Sequence, residues 1–137
     1  MARPRGLVVV AAFHVEEPHE ARAREMVAGF LQGLGRPHRI VACAPYPKFP
    51  GQMRVTAWFE LAPGAGAPEG VEAVCAALGA ASGEGYRNVF ANDDGSLVVN
   101  RILDARTEPL PPGVAWVDLE VNAHGAAQQD LHRALDG

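Results

Sequence analysis

The sequence is short of several features that would point directly to a function. Its 137 residues include two cysteines, Cys43 and Cys75, which form no C-x-x-C pair. This excludes a disulfide framework and a cysteine-rich zinc module, and we expect two buried free thiols in a reducing compartment. Ser82 and Ser96 are the only serines, and neither lies in the G-x-S-x-G motif of serine hydrolases.

Long hydrophobic runs are also missing. No stretch approaches the roughly 18 consecutive apolar residues that cross a membrane as a helix. The apolar run Leu7–Val15 follows Arg3 and Arg5, as in a secretory signal peptide, but it is short and ends at Glu16-Glu17. We therefore expect this run to form a buried strand, and the protein to be cytoplasmic with no membrane partner.

Positive charge is not in excess. The chain has 12 Lys and Arg against 16 Asp and Glu, which gives a formal net charge of -4 at pH 7. Non-specific nucleic-acid binding requires a basic surface, so the composition argues against a nucleic-acid partner and is compatible with a basic protein partner. A hydrophobic fraction of 48% and a charged fraction of 20% predict a folded globular protein, with one domain spanning residues 1–137.

Hydrophobic periodicity predicts the order β-α-β-β-α-β followed by two further strands. The first six elements match the ferredoxin-like pattern. We expect an α+β fold with a ferredoxin-like βαββαβ core and extra C-terminal strands, its antiparallel sheet carrying two helices on one face. The predicted strands are Leu7–Val15, His38–Ala44, Met53–Leu61, Tyr86–Ala91, Ser96–Leu103 and Gly113–Val121, and the turn Asn92–Gly95 joins the fourth and fifth of them in a hairpin. The first predicted helix opens at Glu16-Glu17-Pro18 and ends at Gly35, and the second spans Glu69–Ala81. A short helix is predicted in the tail Ala123–Gly137.

Two strands place a tryptophan and carboxylates on the face that the helices leave open. In each of them apolar residues alternate with polar ones, so that one row is buried and the other faces outward. Tryptophan is enriched in protein interfaces, and carboxylates around it steer basic partners. Two alternatives stay open: the C-terminal tail folds over the tryptophans, or the tryptophans line a small-molecule pocket. The predicted partner-binding residues are Trp58, Glu60, Trp116, Asp118, Glu120 and the turn residues Asp93 and Asp94.

No motif predicts catalysis. His14 and His19 flank acids in HVEEPHE, but Pro18 breaks the helical spacing and no H-E-x-x-H is present. The turn Asn92–Gly95 lacks the spacing of a calcium loop. His38 and Cys43 have opposite parity on one strand and are expected on opposite faces. We therefore predict no catalytic residue, no metal and no cofactor, and a binding protein more than an enzyme.

The stretches NVFANDDGSLVVNR (Asn88–Arg101) and PPGVAWVDLEV (Pro111–Val121) resemble the C-terminal half of small bacterial immunity proteins from polymorphic-toxin systems. The elements in common are an aromatic-bearing strand, an acidic turn, a strand that ends in Asn and a charged residue, and a Pro-x-V-x-W-x-x-L-E strand, although Val99 stands where the pattern has an aromatic residue. The resemblance implies a non-enzymatic inhibitor that binds one cognate toxin. The acidic balance suits a nuclease toxin, whose active site is basic.

An alternative function rests on fold analogy. Ferredoxin-like domains often dimerise through the open sheet and enclose a small pocket, as in small monooxygenases and metabolite sensors. On this interpretation the protein is a homodimeric small-molecule-binding protein or small enzyme with a pocket near His14, lined by His14, Tyr86 and Trp116. A deep pocket lined by His14 favours this alternative, and a flat acidic face favours inhibition.

Overall fold

The computed structural model describes residues 5–79, 86–122 and 128–136. They form an α+β fold with one six-stranded antiparallel sheet and three helices, which confirms the predicted class. Among the described residues, no helix is long and apolar enough to span a membrane. The elements are β1 (Val8–Val15), α1 (Glu20–Leu34), β2 (His38–Pro45), β3 (Met53–Glu60), α2 (Ala67–Ala77), β4 (Tyr86–Ala91), β5 (Leu97–Asp104), β6 (Val114–Val121) and α3 (Gln128–Asp136).

The central position of β1 follows from its sequence. It is apolar on both parities, and every residue except the half-buried Val10 is buried. A strand of this kind is stable only where both of its faces are covered. The first face of the sheet, which contains Val9 and Phe13, packs under α1 and α2. The opposite face, called here the second face, contains Val10 and His14.

The predicted ferredoxin-like strand order is not confirmed. That order requires the strand after the second helix to pair with β1, but the sheet order is β2-β3-β1-β6-β5-β4. The strand β6 takes the place beside β1, and the hairpin of β4 and β5 extends the sheet beyond it. The reason is burial: β6 has three core residues with 0% exposure (Val117, Leu119 and Val121), whereas all six residues of β4 are exposed.

Three predicted boundaries of the first two helices were wrong, and one was correct. Helix α1 begins at Glu20 and not at Glu16, because His19 is extended, with φ −94° and ψ 121°. It ends at Gly35 as predicted, where φ is 67° and glycine adopts the left-handed conformation without strain. Helix α2 begins two residues early, at Ala67, and it ends at Ala77, before the predicted end at Ala81; residues 80 and 81 lie outside the described residues.

A β-bulge changes the parity of β2. The register shifts between Ile40 and Ala42, so that His38 pairs with Phe59 and Cys43 with Val55, both on the first face. The prediction that His38 and Cys43 face opposite sides is therefore wrong. Four pairing rows still separate Phe59 from Val55, or about 13 Å along the strand, which is far beyond hydrogen-bonding distance.

The third helix crosses the second face, which is consequently not left open along its whole length. The Val8 N–H donates to Gln128 Oε1 at 2.8 Å, a His132 ring nitrogen lies 2.7 Å from the Gly6 carbonyl oxygen, and Arg39 Nη1 donates to the Ala134 carbonyl at 3.0 Å. None of the described hydrogen bonds or ion pairs of α3 reaches β5 or β4. The second face thus has an α3-side half (β2, β3, β1) and a far half (β6, β5, β4).

Candidate functional site

The far half carries a row of carboxylates on β6. Asp118 pairs with Ala12 on β1 and Ile102 on β5, and Glu120 pairs with Val10 and Asn100. The alternation of β6 turns its apolar row toward α1 and α2 and leaves Trp116, Asp118 and Glu120 on the second face, all half-buried.

Asn100 connects the two carboxylates. Its side-chain amide donates to Asp118 Oδ1 at 2.7 Å and lies 3.5 Å from Glu120 Oε1 and 3.3 Å from the Leu119 carbonyl. Neither carboxylate forms an ion pair with any residue that the structure describes. The result is a pair of fixed negative charges that no described cation neutralises.

Trp116 belongs to an aromatic cluster and is not a bare surface side chain. Its ring stacks on His14 with 3.5 Å between centroids and 9° between planes. Tyr46 meets His14 edge-on at 4.6 Å, and Phe49 stacks on Tyr46 at 5.8 Å. Tyr46 and Phe49 come from the proline-rich loop after β2, which the Tyr46 N–H closes by donating to the Gln52 carbonyl at 3.0 Å. These contacts hold the indole in one orientation.

His14 is a buried neutral group. It is 1% exposed, and neither ring nitrogen has a hydrogen-bond partner among the described residues. Burial, with a smaller effect of the Arg54 charge, lowers the pKa of His14 to about 4. The imidazole is therefore uncharged at neutral pH, and a ligand cannot reach it without moving Trp116 or Tyr46.

A cavity of about 380 Å³ lies beside Trp116. Its apolar walls include Trp116, Phe49 and Ile102, and its polar lining is Glu16, Gln52, Asp104 and Arg106. His14 and Tyr86 do not line it. Of the three predicted pocket residues, the structure therefore places only Trp116 at the cavity, with His14 behind the indole.

The predicted residues of the α3-side half have different surroundings. Glu60 is 4% exposed, and its carboxylate accepts hydrogen bonds from the Arg5 guanidinium, with Nε 2.8 Å from Oε1. Arg5 in turn donates to Asp136 of α3 at 2.8 Å. Trp58 is half-buried in the next row, where it pairs with Arg39 and Val10. The Glu60 carboxylate is thus held inside the protein and is not presented to a partner.

The two predicted turn residues lie at the tip of the β4–β5 hairpin, away from the β6 row. Both Asp93 and Asp94 are exposed. Asp94 Oδ1 accepts hydrogen bonds from the Ser96 hydroxyl at 2.6 Å and the Ser96 N–H at 2.9 Å, which lower the pKa of Asp94. Asp94 therefore caps the turn. The Asp93 side chain has no hydrogen-bond partner among the described residues.

Sequence reasoning missed a buried ion cluster on the first face. Arg101 is 0% exposed, its Nε lies 3.2 Å from Glu72 Oε1, and its Nη1 lies 3.7 Å from the buried Glu108. The signal was an arginine at a core parity of β5, between Val99 and Leu103. Cys75 of α2 is buried beside this cluster, and its burial raises the pKa of its thiol to about 12, so this thiol is unreactive.

Among residues 5–79, 86–122 and 128–136, no group of three or more His, Cys, Asp or Glu side chains could hold a metal ion. Comparisons with known protein families, with curated proteins and with solved structures found no match to this chain.

Proposed function

We propose that the protein is a non-enzymatic immunity-type inhibitor that binds and neutralises a cognate bacterial toxin, a nuclease being the class that its charge favours. The observation that carries the proposal is the arrangement of Asp118 and Glu120 around Asn100 on the far half, next to the oriented ring of Trp116. The resemblance of the hairpin and β6 to immunity proteins points to the same surface.

Two physical effects suit this surface to a basic partner. Carboxylates without a neighbouring cation raise the rate of encounter with a positively charged protein, and the effect falls with ionic strength. An aromatic side chain that is already held in one orientation loses little conformational entropy on binding, which favours Trp116 as the central anchor. A nuclease active site, which is basic because it binds phosphates, matches the first of these effects.

The experiment compares charge removal on the two faces of the sheet. The double variant D118N/E120Q removes two charges from the far half. The control E25Q/E69Q removes two exposed charges from α1 and α2, so that both variants have the same net charge. The partner is first identified by co-purification of the tagged protein from its native host and mass spectrometry.

We expect D118N/E120Q to associate with the purified toxin about tenfold more slowly at low salt, with a flatter salt dependence, because steering depends on local charge. The E25Q/E69Q control is expected to associate at the wild-type rate. Equal association rates for the two double variants would contradict the proposal that the far half binds the toxin. A host preparation that contains no toxin partner would contradict the proposed function.

The cavity beside Trp116 supports a second candidate, small-molecule binding. Its volume of about 380 Å³ lies within the range of ligand sites, and its mixture of aromatic walls with few polar groups is typical of them. This candidate predicts that a metabolite extract quenches Trp116 fluorescence in a W58F variant. Quenching that persists in a W116F variant would locate the ligand elsewhere.

A further inference from the structure

The strand β4 is the most exposed part of the sheet. All six of its residues are exposed, including Tyr86 at 54%, Phe90 at 51% and Val89 at 38%. Leu97, at the start of β5, adds a fourth large apolar side chain that is 41% exposed. Neighbouring exposed apolar side chains on an edge strand are typical of a surface that pairs with another chain.

The direction of the backbone groups of β4 follows from the hairpin. The Asn92 N–H donates to the Ser96 carbonyl at 2.8 Å, so the N–H and C=O of Asn92 point toward β5. Because these groups alternate along an antiparallel strand, those of Arg87, Val89 and Ala91 point away from β5. No described strand pairs with this side of β4.

We propose that a second copy of this chain pairs with β4, strand to strand and antiparallel, about a two-fold axis at Asn88. In this register Arg87 and Val89 of one copy exchange backbone hydrogen bonds with Val89 and Arg87 of the other. Asn88 faces Asn88 at the axis as a non-hydrogen-bonded pair, in which the side chains are closest. The two six-stranded sheets become one continuous sheet.

The side chains of β4 are self-complementary in that register. On the second face, Tyr86 of each copy lies opposite Phe90 of the other, and two such cross-strand aromatic pairs form. The two Asn88 amides donate to each other. Arg87, the one charged residue of β4, lies opposite Val89 and near its own Glu72 at 3.9 Å, so that no like charges face each other directly. These features favour a second copy over an unrelated partner.

The opposite edge of the sheet lacks this self-complementarity. The strand β2 carries a bulge at Val41 and ends in Pro45, and both features discourage pairing with another strand. Val41 is 40% exposed, close to the value for Val89. The chain therefore offers a matched control: an equally exposed valine on the edge that the proposal does not use.

The test is the mass of the full chain in sedimentation velocity over a hundredfold range of concentration, which covers about 3 kcal/mol of association free energy. The wild type is expected to pass from monomer to dimer. V89P, which removes an outward N–H, and F90K, which removes an aromatic pair, are expected to remain monomeric. V41K is expected to dimerise like the wild type. A wild type that stays monomeric throughout, or dimers of V89P and F90K with wild-type affinity, would overturn the proposal.

A disulfide test fixes the register independently of those variants. Only a residue on the two-fold axis meets its own copy, so N88C is expected to form a covalent dimer on mild oxidation. V89C is expected to form none, because Val89 lies opposite Arg87. The wild type, with Cys43 and Cys75 away from β4, is the blank. Equal cross-linking of N88C and V89C would contradict the register, whatever the activity of the far half toward a toxin.

Discussion

The two halves of the second face contain nearly the same local sequence but present it differently. TAWFE on β3 and VAWVDLE on β6 both place a tryptophan and a carboxylate on this face. On the α3-side half, Arg5 and Asp136 enclose Glu60, which is 4% exposed. On the far half, Asp118 and Glu120 are half-buried and have no cationic neighbour among the described residues. The same pattern is therefore structural in one place and a candidate binding surface in the other.

The largest expected effect concerns His14, which supports the Trp116 ring. In the unfolded chain histidine titrates near 6.5, whereas the folded pKa is about 4. Between these values the unfolded state binds a proton that the folded state does not, so stability is full above pH 6.5 and falls as the pH decreases toward 4. The loss is about 3 kcal/mol.

Urea unfolding at pH 7 and pH 4 is expected to show this loss in the wild type and in the exposed-histidine control H19Q, but not in H14F. A wild-type loss no greater than that of H14F would mean that His14 is accessible to protons in the folded protein.

The next effect tests the enclosed half. R5A leaves the Glu60 carboxylate, which is 4% exposed, without its cation, so it is expected to lower the free energy of unfolding by more than the far-half variant D118N/E120Q does. D118N/E120Q is expected to change the free energy of unfolding by less than about 0.5 kcal/mol. Chemical denaturation at pH 7 measures both. Equal destabilisation by the two variants would remove the distinction between the halves.

A smaller effect compares the two tryptophans as binding residues, and it rests on the proposed function. W116A is expected to weaken toxin binding about 30-fold, because a central anchor contributes about 2 kcal/mol. W58A is expected to weaken it less than about threefold. Calorimetric titration of variants with matched circular dichroism spectra provides the measurement. A greater loss for W58A would move the interface to the α3-side half.

The smallest effect concerns the residue that connects the far-half carboxylates. N100A is expected to lower the free energy of unfolding by about 1 kcal/mol, since it removes the hydrogen bond to Asp118. The control is N88A, an exposed asparagine that pairs with Asn100 across the hairpin. At a protein concentration at which the chain is monomeric, a change below about 0.5 kcal/mol is expected for it. Thermal and urea unfolding measure the change in the free energy of unfolding for both variants. Equal changes would mean that the hydrogen bond from Asn100 to Asp118 adds no stability.

Local patterns predicted much of the fold but less of the site. The two-sided hydrophobicity of β1, the glycine that ends α1 and the turn between β4 and β5 are short-range signals, and all three elements are present. The bulge at Val41 and the buried Arg101 were not predicted, because each depends on what a neighbouring strand or helix provides. The five predicted binding residues on β3 and β6 lie on the second face as their parity required, but parity does not indicate which of them a distant segment encloses.

The sequence by itself determined the α+β class, the order of strands and helices, and the rows of β3 and β6 that face α1 and α2, because these depend on side-chain periodicity along one segment. Only the tertiary structure decided that β6 and not β4 lies beside β1, that α3 encloses Glu60, and that His14 supports Trp116. These depend on competition for burial among segments far apart in the chain, and no short window of sequence records its outcome.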